Sequence, residues 1–169
     1  MPKIRLIIIF FLAIVAVSSC EKDDICVDAN TPLLVIEFFD NANSTDTKNV
    51  NSLRVVGLGQ TVTVNTVMDR TNLNTISIPL KTTEDITSFL LIRDSDSDEN
   101  GVETGNIDTI NISYDRLEDF KSRACGFIVN YENLSASLQT TDTDSWIQDI
   151  TVVQSQVINS DSTHVKIFH

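Results

Sequence analysis

The feature that most constrains the fold of this 169-residue chain is a series of short apolar runs, most of which alternate with polar residues. Residues 76–80, 110–114 and 125–131 place apolar side chains at every second position, the period of a β-strand with one covered face. Residues 33–39 and 86–92 are almost continuously apolar, which is typical of strands covered on both faces. The pattern predicts an all-β chain without a long helix.

Local signals give finer predictions within this pattern. Residues 53–56 and 61–64 are predicted to be paired strands, because Gly57-Leu58-Gly59 between them suits a hairpin turn. Pro79 lies inside a strand pattern and has no amide hydrogen to donate, so its strand is predicted at a sheet edge. Residues 115–121 are predicted to form one helical turn, since apolar residues recur there three positions apart.

The number and spacing of the strands indicate the architecture. Eight or nine short strands separated by turn signals predict an antiparallel β-sandwich of immunoglobulin-like type, with a barrel as the alternative. We divide the chain into a signal segment at 1–19, an acidic tether at 20–31 and a single β-sandwich domain at 32–169.

The N-terminus has the layout of a secretory signal peptide. Lys3 and Arg5 precede the uncharged residues 6–17, which are too few for a membrane-spanning helix, since about 20 residues are needed to cross the hydrocarbon core. Val17-Ser18-Ser19-Cys20 resembles a bacterial lipobox, in which a peptidase cuts before the cysteine and its sulfur carries a diacylglycerol. We therefore predict lipidation of Cys20, with an ordinary secretory peptide as the alternative.

The residues directly after Cys20 indicate where the protein is exported. Glu21, Lys22, Asp23 and Asp24 resemble the lysine-and-acid tract that sends lipoproteins of the Bacteroidota to the cell surface. They predict a lipid-anchored protein of the outer membrane that is exposed at the cell surface. A solvated tether at the periplasmic face is the alternative, because a charge-rich composition gives such a tether without any receptor.

The negative charge excludes one class of partner. Twelve basic residues face twenty-four acidic ones, so the net charge is −12 at pH 7. Removal of residues 1–19, whose charged residues are all basic, makes the net charge more negative still. A phosphate backbone would repel such a surface, and we therefore exclude nucleic acid as a partner.

Lipidation of Cys20 leaves Cys26 and Cys125. Outside the cytoplasm an even number of cysteines usually pairs, so we predict a disulfide between them. Alternation places Cys125 on the same strand face as Phe127 and Tyr131, which predicts that the disulfide is buried. Two free thiols or a metal pair are the alternatives.

The acidic loop at 94–101 holds the candidate ligand site. Asp96, Asp98 and Asn100 alternate and a glycine follows, which is the order found in the first half of a calcium loop. The position that would supply a bidentate glutamate is Ile107, and no flanking helices are predicted. A weak calcium site is one prediction and a solvated hairpin loop is the other; no other cofactor is predicted.

The sequence offers little for catalysis. It has no Gly-x-Ser-x-Gly motif, and His164 and His169 are predicted as exposed residues on opposite faces of the last strand. Trp146 and Tyr131 are candidates for a sugar-binding surface, although their alternation with aliphatic residues fits core packing better. We predict a protein that is not an enzyme.

Several of these features carry a resemblance that covers essentially the whole chain. They are the signal peptide, Cys20, Cys26, Arg123-Ala124-Cys125-Gly126-Phe127, Tyr131, Asn133-Leu134 and the short final strand. Together they resemble a domain-of-unknown-function family of Bacteroidota lipoproteins. The resemblance supports the lipoprotein class and the pairing of Cys26 with Cys125, and it brings no established activity.

These observations predict a lipid-anchored, non-catalytic lipoprotein of the envelope or cell surface that acts as a binding or structural module. Its predicted partners are the membrane, through the lipid, and an envelope protein or a glycan. The alternative is a calcium-dependent adhesion or carbohydrate-binding module that uses loop 94–101.

Overall fold

The computed structural model describes Cys26, residues 30–139 and residues 144–169. These residues form nine β-strands and no helix, and the strands make two sheets in a sandwich, as the apolar pattern predicts. No helix among them is long and apolar enough to span a membrane. The strands are β1 (Leu34–Phe39), β2 (Val50–Gly57), β3 (Thr71–Leu73), β4 (Thr75–Ile78), β5 (Ile86–Arg93), β6 (Asn106–Ser122), β7 (Gly126–Gln139), β8 (Asp149–Val152) and β9 (Val165–Phe168).

One sheet has four strands in the order β4-β1-β9-β8, and the other has five in the order β3-β2-β5-β6-β7. All of these neighbours pair antiparallel except β1 and β9, which run parallel. The first and last strands of the described chain therefore lie side by side inside the smaller sheet. The two facing sheets form a sandwich of the immunoglobulin-like type, but the order of the strands within the sheets differs from that of an immunoglobulin domain.

The core lies between the facing sides of the two sheets. In the smaller sheet, Ile76, Ile36 and Val165 are register partners across three strands, and all are buried. The larger sheet contributes buried side chains from β2, β5, β6 and β7 to the same cluster. Since a fully buried aliphatic or aromatic side chain contributes about 1.5–3 kcal/mol, this cluster is the main source of stability.

Strands β6 and β7 continue past the end of β5 as a two-stranded arm, residues 115–132. β5 pairs with β6 only as far as Ser113, and beyond it β7 is the strand that pairs with β6. A register shift between Ser113 and Asp115 marks the point where the arm begins, as expected of a bulge that bends a strand. The predicted helical turn at 115–121 is wrong, because β7 pairs with this segment almost residue by residue.

Of the two finer strand predictions, one is wrong and one is confirmed. Residues 61–64 are not a strand and contribute a single bridge, between Thr63 and Val56. The predicted hairpin at this point is therefore wrong, and β3 pairs with β2 instead. Pro79 directly follows β4, which is an edge strand as predicted.

Both histidines face the protein interior. His164 is 1% exposed, its Nδ1 accepts the amide hydrogen of Val35 at 3.0 Å, and its own amide donates to the Val35 carbonyl at 3.0 Å. His169 is half-buried and packs edge-on against the rings of Phe38 and Trp146. The prediction of exposed histidines is wrong, because buried residues far away in the chain cover both side chains.

His164 should make the stability depend on pH. Burial lowers the pKa of His164 from its usual 6.5, so the unfolded chain binds the proton more tightly than the folded chain. This stabilisation is present above about pH 6.5 and is lost as the pH falls through the lowered pKa. In His164→Asn an amide oxygen can still accept from Val35 without titrating. We expect this variant to show a smaller fall in unfolding free energy on acidification, measured by urea titration.

His169→Asn is the second variant to measure. Burial is also the main cause that lowers the pKa of His169, so this variant should remove a separate part of the same dependence, and the double variant should remove both. A His164→Asn curve parallel to that of the wild type would contradict the prediction.

Candidate functional site

The acidic loop at 94–101 is part of the connection between β5 and β6, and its carboxylates bind the loop's own backbone. Oδ1 of Asp98 accepts the amide hydrogens of Asn100 at 2.9 Å and Val102 at 2.8 Å. The hydrogen bond from Val102 is the main cause that lowers the pKa of Asp98. Oδ1 of Asp96 accepts the next amide along the chain at 2.8 Å. The loop is therefore a closed turn.

This geometry bears on the predicted calcium site. Asp96, Asp98 and Asn100 lie in one turn, but the hydrogen-bonded Asp96 and Asp98 oxygens already have backbone partners. Within the described parts of the chain, no group of three or more His, Cys, Asp and Glu side chains is arranged to hold a metal ion. Calcium binding at these three residues stays a prediction.

The acidic side chain that organises this region is Glu103, which the sequence motifs do not mark. Its side chain is 19% exposed and lies at 3.2 Å from Arg54 and 3.6 Å from Arg70. Its four hydrogen bonds come from the amides of Asp96 (3.1 Å) and Gly105 (3.0 Å), the hydroxyl of Ser95 (2.9 Å) and Nη1 of Arg54 (3.2 Å). Glu103 thus ties the loop to β2.

Two further observations show how tightly the loop closes. Burial alone would raise the pKa of Glu103, but its hydrogen bonds outweigh burial and lower the pKa. At Gly105 a Cβ would lie 2.7 Å from Cγ2 of Ile92 and 2.8 Å from the carbonyl oxygen of Arg93. Any side chain at this position would overlap these atoms, so only glycine allows the chain to turn back into β6 here.

Neutralising Glu103 should therefore destabilise the protein. Glu103→Gln places an amide group among donors that require an acceptor, and hydrogen bonds to charged groups contribute about 1.5–3 kcal/mol each. We expect the unfolding free energy to fall by about 1–3 kcal/mol at neutral pH, measured by urea titration. Glu99→Gln, an exposed change in the same loop, is the control and should be nearly neutral.

The effect of Glu103→Gln should also depend on pH. A lowered carboxyl pKa gives stability that is present above the unfolded pKa, here 4.5, and is lost as the pH falls through the folded pKa. The difference between wild type and variant should therefore shrink below about pH 4.5. A difference that stays constant across this range would contradict the role given to the charge.

The second candidate site is the tip of the arm, residues 120–127. The predicted pairing is confirmed, because Cys125 in this tip forms a disulfide with Cys26, 99 residues earlier in the chain. Cys26 is exposed and Cys125 half-buried, so the predicted burial of the disulfide is wrong. Cys125 lies in the turn before β7, where strand alternation does not apply.

Two phenylalanines lie side by side on the tip. Phe120 and Phe127 are register partners with ring centroids 5.1 Å apart, and they are 55% and 64% exposed. The predicted covered face is wrong at Phe127, although Val129 and Tyr131 on the same face pack in or against the core. The tip also holds two basic residues, Lys121 and Arg123, and no acidic residue. Lys121 pairs with Asp119, which lies just outside the tip, at 2.6 Å.

Polar contacts fasten the base of the arm to the sandwich. Nε of Arg116 donates to Asp85 at 2.6 Å, which raises the pKa of Arg116, and Nη1 donates to the carbonyl of Thr82 at 3.1 Å. The hydroxyl of Tyr131 donates to the carbonyl of Leu80 at 3.1 Å, and burial raises the pKa of Tyr131 to about 12. Thr82, Asp85 and Arg116 line an open cavity of about 390 Å³.

The two aromatic residues considered for sugar binding belong to the core. Trp146 is buried and its Nε1 donates to the carbonyl of Leu91 at 3.3 Å. Tyr131 is buried and packs edge-on against Tyr114, with ring centroids 4.8 Å apart. The core interpretation of both residues is confirmed.

Cys20 and the tract Glu21, Lys22, Asp23 and Asp24 lie outside the described residues. Lipidation and surface export therefore stay predictions at this point.

Removing the disulfide should loosen the arm. A disulfide that closes a loop of about 100 residues contributes up to about 4.7 kcal/mol in the chain-entropy model. We expect Cys26→Ser with Cys125→Ser to lower the thermal midpoint and to speed amide hydrogen exchange in the arm more than in β5. Exchange that rises equally in both regions would contradict a specific role in the arm.

No curated protein and no solved structure matches the chain significantly. A family model matches residues 52–169, more than half of the sequence. The match includes the acidic loop and the arm. The chain therefore belongs to DUF6452, a family of unknown function.

Proposed function

We propose that this protein is a lipid-anchored, non-catalytic lipoprotein of the bacterial cell envelope, attached to the outer membrane through Cys20 and exposed at the cell surface. We further propose that it acts as a binding or structural module whose partner is an envelope protein or a glycan. The observation that carries the proposal is the disulfide between Cys26 and Cys125, together with the lipobox-like residues that precede it.

The disulfide supports export, because such bonds persist in oxidising compartments and are rare in the cytosol. It also accounts for two of the three cysteines. The third, Cys20, follows a signal-like segment at the position where lipid would be attached. Export and lipid attachment therefore agree with the way in which all three cysteines are used.

The polar side chains of the two candidate sites support a binding or structural role. Glu103 joins the acidic loop to Arg54, and Arg116 joins the arm to Asp85. A catalytic acid or base must instead be able to reach a substrate proton at hydrogen-bond distance. Glu103 and Arg116 are engaged with partners in the protein, and their charges stabilise the fold.

Lipidation can be measured with an alkyne-bearing palmitate analogue supplied to growing cells. We expect the wild type to incorporate the label and Cys20→Ala to lose both the label and its membrane association. The matched control is Cys26→Ser with Cys125→Ser, which removes two cysteines and should keep the label. Label retained in Cys20→Ala would overturn the proposed anchor.

Surface exposure can be tested by adding protease and antibody to intact cells. We expect the wild type to be accessible, and a variant with alanine at Glu21, Lys22, Asp23 and Asp24 to be protected. Both proteins should become accessible once the outer membrane is permeabilised. A wild type that requires permeabilisation would contradict surface exposure and would indicate the periplasmic face.

A further inference from the structure

We propose that the tip of the arm docks on the surface of the lipid bilayer, beside the lipid anchor. The docking surface consists of Phe120 and Phe127 with Lys121 and Arg123, and its occupant is the interfacial region of the membrane. This inference rests on the proposed function, because it requires lipid on Cys20.

The covalent structure of the chain holds the tip near the membrane. Cys20 precedes Cys26 by six residues, so at most about 22 Å of extended chain separates them, at roughly 3.6 Å per residue. Cys26 is bonded to Cys125 within the tip, with a Cα–Cα distance of 4.9 Å. A lipid on Cys20 therefore keeps the tip close to the bilayer whatever the orientation of the sandwich.

The side chains of the tip have the chemistry of a membrane interface. Exposed apolar clusters mark interaction surfaces, and Phe120 and Phe127 form such a cluster while remaining more than half exposed. Aromatic rings and basic side chains with apolar stems suit the boundary between headgroups and acyl chains.

Charge confines the contact to the tip itself. The whole chain has a net charge of −12, whereas the tip carries two basic residues and no acidic one. Asp23, Asp24 and Asp28 lie within three residues of Cys26, so an anionic bilayer would attract Lys121 and Arg123 and repel the segment that the disulfide joins to the tip. Asp119 offsets Lys121 in part, and Glu118 lies two positions before Phe120 on the same face of β6. The contact is therefore confined to the tip.

Tryptophan reporters on the full lipidated chain test the inference. Phe127→Trp places the reporter in the tip, and Val102→Trp places it in the acidic connection at the opposite end of β6, roughly 50 Å away. The two positions are similarly exposed, 64% and 60%. The wild type, with buried Trp146, gives the background. Each protein is reconstituted in vesicles of phosphatidylethanolamine and phosphatidylglycerol whose acyl chains carry bromine.

We expect the tip reporter to shift its emission to shorter wavelength and to be quenched by the brominated chains, while the Val102→Trp reporter is unchanged. Adding Lys121→Gln and Arg123→Gln to the tip reporter should reduce the quenching and its dependence on phosphatidylglycerol. That result would show that the basic side chains take part in docking.

Three outcomes would overturn the inference, and they are distinguishable. Equal quenching of the two reporters in protein that floats with the vesicles removes the docking and leaves the anchor intact. Tip quenching that follows the protein-to-lipid ratio shows that a second copy of the chain covers the tip. Wild-type protein that carries no lipid and does not float refutes the proposed function, and the inference with it.

Discussion

The parallel pairing of β1 with β9 holds the smaller sheet together, and the two strands lie near opposite ends of the described chain. Ile36 aligns with Val165 and Phe38 with Ile167, and all four residues are buried. Pairing β1 with β9 closes a loop that spans most of the described chain. The burial of these side chains against the larger sheet must offset the conformational entropy that closing this loop costs. Because β4 and β8 pair only with β1 and β9 in this sheet, the whole layer depends on that contact. His164 fastens it through hydrogen bonds with Val35 on both its ring and its amide.

The parts of the fold that could be predicted are those that depend on local sequence. Alternation assigns each residue of β5 and β6 to a face, because the direction of a side chain follows from its position along the strand. The helical spacing of Leu117 and Phe120 is misleading, because a strand places residues three apart on opposite faces. The exposure expected of His164 fails for another reason, since Val35, which covers it, lies 129 residues earlier in the chain.

The sequence indicates where the candidate sites lie, but not which contacts hold them together. The acidic loop and the cysteine pair follow from composition and count. The role of Glu103 does not, because its partners Arg54 and Arg70 precede it by tens of residues. Asp108 is a similar case: it is buried, and it accepts hydrogen bonds from the hydroxyl of Ser145 and the amide of Ile147. Part of the large acidic excess therefore serves to join segments of the fold.

The two ends of β6 differ in the way they are stabilised. At its start, the acidic loop is closed by hydrogen bonds of its own and contacts water. At its end, the arm has two strands beyond the end of β5, and an isolated two-stranded hairpin is marginally stable in water. The arm must therefore be held by attachments: Arg116 and Tyr131 at its base and the Cys26–Cys125 bond at its tip.

The position of these attachments determines what the arm can offer. The polar contacts at the base and the covalent bond at the tip order the backbone without covering the rings of Phe120 and Phe127. A tip ordered by packing would have had to bury those rings within the protein. Because a disulfide restricts the unfolded chain rather than filling a core, it can keep an apolar surface both ordered and exposed. The bond that supplies this order is also the link between the arm and the segment that follows Cys20, so the exposed rings lie at the end of the molecule nearest its proposed anchor.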